Sequence, residues 1–220
     1  MITLTVLSIL GVALAAVLVA MFRGRPASNQ SLAPTQSRAA VSSGLNSGLN
    51  TDPWDARRGD VVSIKAAAED FADLDFPVDR RSAYQAANHR WIDLSGEFRG
   101  RRVYLEVFRH PRPDLIGILD ARKLTLSEVG VTEEQLAALD ARQDPTAFFQ
   151  FEGRQWLYES SREIGYFENE TGAGEGLYRW QFHEQGGPRL LCIEKWEGEP
   201  FDVRIARRLQ DRDITVYRAA

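Results

Sequence analysis

The sequence predicts a mainly β protein: antiparallel strands in a sandwich- or barrel-like arrangement, with a small helical insertion and one transmembrane helix in front. Three observations carry this prediction. Residues 2–22 contain no charge. Beyond Asp52, apolar residues recur mostly at every second position, in short aromatic-rich runs divided by glycine turns. Two capping-box signatures lie together between two groups of such runs.

The first element is the anchor, residues 1–23. At about 1.5 Å of rise per residue, a stretch of this length spans a hydrocarbon core roughly 30 Å thick. It has no polar stripe, its start carries no basic residue, and its apolar run goes uninterrupted into Met21, Phe22 and Arg23, unlike a secretory signal, so it is expected to stay uncleaved. Arg23 and Arg25 follow at once, which places the C-terminal part on the cytoplasmic face of the inner (plasma) membrane. Residues 24–52 are mostly Ser, Ala, Asn, Gln, Gly and Pro, with Ser-Gly-Leu-Asn repeated at 43–46 and 47–50. Such a segment buries too little apolar surface to offset its ordering entropy and is expected to be a disordered tether.

The soluble domain is expected over 53–220. Strands are predicted at Val61–Ile64, from Trp91, and at Arg102–Phe108, Phe148–Phe151, Gln155–Glu159, Leu177–His183, Arg189–Trp196, Phe201–Ile205 and Asp213–Tyr217. In the Arg102–Phe108 run, Val103, Leu105 and Val107 share one face, and Tyr104, Glu106 and Phe108 the other. Between the strand groups, Thr125–Glu128 and Thr132–Gln135 each place a hydroxyl three residues before Glu or Gln. The second opens a helical stretch with Leu136, Leu139 and Val131 on one side, ended by Asp144-Pro145.

That helical region divides the domain into two similar halves, 53–123 and 147–220. Each reads as a Trp (Trp91, Trp180), a glycine turn, then apolar-x-apolar-Glu-x-aromatic: Val103 to Phe108 in one, Leu191 to Trp196 in the other. The form suggests an internal duplication.

The chemistry is sparse. Net charge is −4 overall and −6 from Pro53 onward, which argues against nucleic acid as a partner. The single cysteine, Cys192, cannot form an intramolecular disulfide; if Leu191 and Ile193 face a core, it faces the other way with Leu190 and Glu194. His89, His110 and His183 are scattered without metal-ligand spacing, so no metal and no cofactor is expected. Glu106 and Glu194 occupy matching places in the two halves and form a candidate carboxylate pair, against the simpler reading that each pairs with an arginine. Gly172–Gly176 is glycine-rich, but no helix or Lys-Ser/Thr completes a phosphate loop. Arg99–Arg102 and Arg109–Arg112 are basic segments that could meet anionic lipid heads. No Gly-x-Ser-x-Gly occurs, and no catalytic residue can be assigned.

The chain also resembles a known family. Gly59-Asp60-Val61-Val62, Phe151 to Trp156, Tyr178 to Phe182, Leu191 to Glu194 and Asp213 to Val216 look like the bacterial domain of unknown function 4178 family. The resemblance covers roughly Asp55 to Tyr217 and implies a β-rich fold without established activity or functional residues. The resulting expectation is a membrane-anchored binding or scaffolding module with a protein partner. The alternatives are an enzyme with a dispersed site, marked by a deep polar pocket of convergent carboxylates and histidines, and an accessory subunit of a membrane complex.

Overall fold

The computed structural model of the protein describes residues 52–109, 114–120 and 122–219. The predicted anchor and nearly all of the predicted tether lie outside the described residues. Among the described residues no helix is long and apolar enough to cross a membrane.

The strands are β1 (Val61–Ile64), β2 (Leu74–Pro77), β3 (Arg80–Ala86), β4 (His89–Phe98), β5 (Arg101–Phe108), β6 (Asp114–Ile118), β7 (Phe148–Phe151), β8 (Arg154–Phe167), β9 (Glu175–Glu184), β10 (Arg189–Trp196), β11 (Phe201–Leu209) and β12 (Ile214–Tyr217). Two helices, α1 (Leu126–Val129) and α2 (Glu133–Arg142), lie between β6 and β7. Both predicted capping boxes form, on Thr125/Glu128 and Thr132/Gln135.

All the strand pairings are antiparallel, and eight strands close into a barrel. It consists of two four-stranded meanders, β3-β4-β5-β6 and β8-β9-β10-β11. They join last strand to last, through Ile116 opposite Arg208, and first strand to first, through Tyr84 opposite Tyr166. Closure leaves no free edge in the barrel, the usual solution to the unpaired backbone of an open sheet. The long strand β8 pairs with β9 along one side, with a bulge between Tyr158 and Ser160, and on the other its C-terminal end pairs with β3 and its N-terminal end with β7.

The outer face of the barrel is apolar and covered on two sides. Over the first meander lies the small sheet β12-β1-β2, whose Val62, Ile64, Leu74, Phe76 and Val216 pack on Ile92, Leu94, Val103 and Leu105. This cover sits so close that a Cβ on Gly96 would stand 2.0 Å from the Pro77 carbonyl oxygen. Over the second meander lie α1, α2 and the β7 hairpin, whose Val129, Val131 and Leu136 meet Tyr158, Trp180, Phe182 and Leu191. Trp180 Nε1 donates to the Leu136 carbonyl at 3.1 Å, and Ser161 Oγ donates to Asp140 at 2.5 Å. Tyr178 also donates to Asp140, so one carboxylate clasps the helix to the barrel.

The structure extends and corrects the sequence reading. The strands predicted at 155–159 and 201–205 are longer, and β2, β3 and β6 were not foreseen. In β3 the inward positions are Arg80, Ser82 and Tyr84, so no apolar alternation marks it. The matched tryptophans do not correspond: Trp91 points into the barrel onto Tyr84 and Phe108, whereas Trp180 points outward under the helices. The Glu-centred runs do correspond, each forming the third strand of its meander.

Candidate functional site

Strand alternation turns Tyr104 and Glu106 of β5, and Cys192 and Glu194 of β10, to the inside of the barrel, opposite the apolar outer residues. Register then places Asp93 beside Glu106 and Arg179 beside Glu194. The interior is therefore polar at mid-height, with apolar clusters around Trp91, Ile164 and Leu177 and around Ile116, Leu190 and Ala206.

Arg179 organises this interior. Its Nε donates to Glu194 at 2.8 Å and its Nη1 to Glu106 at 3.0 Å, while Nη2 lies 2.8 Å from Glu106 and 2.6 Å from Glu194. Its guanidinium also sits 4.9 Å from the Tyr84 ring centre. Burial opposes this charge, but the two glutamates hold the arginine well above its ordinary pKa. A buried guanidinium is tolerable because its donors are satisfied in this way.

Beside this triad is a chamber of about 220 Å³ lined by Tyr84, Asp93, Tyr166, Cys192, Glu194 and Trp196. Arg80, Tyr104, Asp202 and Arg204 complete its wall; Arg80, Tyr104, Tyr166 and Arg204 are only partly buried and mark its mouth. Arg204 forms a two-pronged pair with Asp202 at 3.1 and 2.6 Å and lies 5.0 Å from the Tyr104 ring centre. Arg80 donates to Glu168 at 3.2 Å.

Asp93 differs from all of these. It is 3% exposed, and among the described residues its carboxyl group has no hydrogen-bond or ion-pair partner. Burial, and next the neighbouring Glu106 charge, push its pKa up to about 8. Burial likewise pushes the Cys192 thiol up to about 12, so it stands as a thiol at neutral pH and not as a nucleophilic thiolate.

The sequence-derived candidates are distributed as follows. Glu106 and Glu194 do converge, though on Arg179 and not on each other. His89 is exposed at the start of β4, and His183 lies in a separate hollow with Glu159, Pro188 and Arg208; neither lines the chamber. His110 and Arg112 lie outside the described residues. Among the described residues no group of three or more His, Cys, Asp or Glu side chains is placed to hold a metal ion. Gly174 packs under the Phe167 ring, where a Cβ would come within 2.8 Å of it. The arginines of the β4–β5 turn are each matched by a carboxylate: Arg99 by Asp70 at 3.1 Å, Arg101 by Glu69 at 2.7 Å and Arg102 by Asp79 at 2.6 Å. Sequence reasoning missed Asp93, Arg179 and Arg204. Their signal was a charge in phase with inward aromatic or apolar residues, as Asp93 is with Trp91 and Arg179 with Leu177.

No protein-family model, curated protein or solved structure matches this chain.

Proposed function

We propose that this chain is a membrane-anchored binding module whose ligand, a small molecule, enters the barrel chamber. The reading is supported chiefly by one observation: a closed barrel carries its apolar residues outward under two covers and keeps a polar, aromatic-walled chamber inside. Small-molecule sites are concave, with hydrophobic or aromatic walls and a few placed polar groups. Exposed large apolar side chains, Phe71, Phe148 and Tyr217 among the described residues, are separated along the chain and supply weaker support for a broad protein-docking face. The apolar segment 2–22 and the arginines after it support a site of action at the cytoplasmic face of the inner membrane, where a protein partner would read chamber occupancy.

Native mass spectrometry of the full chain, extracted from membranes in mild detergent, tests the reading. The expected result is a bound low-mass species, lost from a Cys192→Phe variant that fills the chamber yet still unfolds cooperatively. A ligand-free protein that also takes up nothing from a metabolite extract overturns it.

The two meanders support a further proposal, descent from one duplicated unit. First strand pairs with first and last with last, the relation a twofold axis requires, and Glu106 and Glu194 stand at matching places. Kinship with the domain of unknown function 4178 family is likewise proposed, on the residues that resemble it, and assigns no activity.

A further inference from the structure

We propose that the chamber binds a small organic cation, a protonated amine or a guanidinium on a flat or aliphatic body, whose charge is taken by the carboxyl group of Asp93 with release of a proton. The inference rests on the chamber being a binding site and names the class of ligand.

Every guanidinium at the chamber is already engaged: Arg179 by Glu106 and Glu194, Arg204 by Asp202, and Arg80 by Glu168. An anionic ligand would have to displace a carboxylate from one of them. The carboxyl group of Asp93, by contrast, has among the described residues no hydrogen-bond or ion-pair partner to displace. Four carboxyl groups, Asp93, Glu106, Glu194 and Asp202, meet three guanidiniums, Arg80, Arg179 and Arg204. Adding Glu168 and Lys123, the outer partners of Arg80 and Asp202, leaves the same excess of one carboxyl group. One positive charge completes the set.

The walls suit that charge. Rings in this barrel already receive cations, Tyr84 from Arg179 and Tyr104 from Arg204. Tyr166 and Trp196 line the chamber in an edge-to-face pair, 5.4 Å between centres. A cation over an aromatic face gains more where water is excluded.

The proton follows from the surroundings of Asp93. It is faced from β3 by Arg80 and Tyr84, from β5 by Tyr104 and Glu106, and from β8 by Tyr166. From β9 it is faced by Arg179, from β10 by Cys192 and Glu194, and from β11 by Asp202 and Arg204. With its arginines already paired to other carboxylates, Asp93 is held neutral at pH 7 by burial and by the Glu106 charge. An arriving cation supplies the missing counter-charge: the carboxyl O–H ionises, the proton leaves to solvent, and the oxygen accepts from the ligand N–H.

The test is calorimetric titration of the full chain in detergent with three probes of one shape: benzylammonium, benzyl alcohol and benzoate. Each is run at pH 7 in two buffers of different ionisation enthalpy. The expected result is benzylammonium binding at least tenfold tighter than either other probe, with about 0.9 proton released, the fraction a group of pKa about 8 carries at pH 7. Asp93→Asn should lose at least tenfold of that affinity and the proton release. Because that variant could misfold, the unmodified chain carries an independent reading: benzylammonium affinity should rise with pH, reach half its maximum near pH 8 and flatten above it. Tightest binding of benzoate or benzyl alcohol, or a pH-independent affinity, overturns the cation class and leaves the chamber as a site. Binding of none of the three overturns it too, and native mass spectrometry then decides separately whether the chamber holds anything.

Discussion

In the first meander the residue opposite the third-strand glutamate is Asp93; in the second it is Arg179. The backbone setting is the same, an inward position on the second strand beside Glu106 or Glu194, but one residue is an acid and the other a base. Arg179 satisfies both glutamates, and Asp93 is left facing an open chamber. One half of the barrel thus closes its electrostatics internally, while the other leaves a carboxyl group for something from outside. The covers are tied differently: ion pairs at the rim, Arg99 with Asp70 and Arg101 with Glu69, add to apolar contact over the first meander, and the hydrogen-bonded Asp140 clasp ties α2 to the second.

The largest expected effect comes from erasing the charge at the second position. Arg179→Met leaves Glu106 and Glu194 buried without a counter-ion and should cost about 3–5 kcal/mol in denaturant unfolding, since breaking a buried pair strands its partner. A loss under about 1 kcal/mol would show that the interior is wetter than its burial implies.

Replacing the carboxyl group at the first position should act oppositely. The folded value of about 8 for Asp93 lies above the ~3.9 of a free aspartate, so between these pH values the folded protein holds a proton the unfolded chain has released. Its contribution to stability is full below about pH 4 and is lost as pH rises to about 8. Asp93→Asn should remove a decline of up to about 1.4 kcal/mol per pH unit over that window. A variant whose stability falls as steeply as the parent's would rule out Asp93 as the group responsible.

The smallest effect probes the covers. Tyr178→Phe removes one donor to Asp140 and should cost about 1 kcal/mol, read as a shift in the unfolding midpoint. An unchanged midpoint would mean that apolar packing holds α2 without help from the Tyr178 bond.

Much of the fold was legible along the chain because it is local. Alternation in Arg102–Phe108 and Arg189–Trp196 separated the two faces of each strand, and Thr125 and Thr132 marked both helix starts. The site was less so. Glu106 and Glu194 stood out as a matched pair, but Arg179, their common partner, reads like any strand arginine until the barrel closes. Strand β3 escaped because its inward positions face the polar chamber, which removes the alternation that reveals a strand.

By itself the sequence determined an antiparallel β domain with a capped helical insertion, and which side of each main strand is apolar. The reason is that period-two burial and N-capping are set by residues a few positions apart. Only the tertiary structure decided that the apolar sides face outward under two covers, that Arg179 spans 73 residues to reach Glu106, and that Asp93 has no hydrogen-bond or ion-pair partner among the described residues. Charge pairing inside a barrel depends on which strands become neighbours, and that register is fixed by closure of the whole sheet.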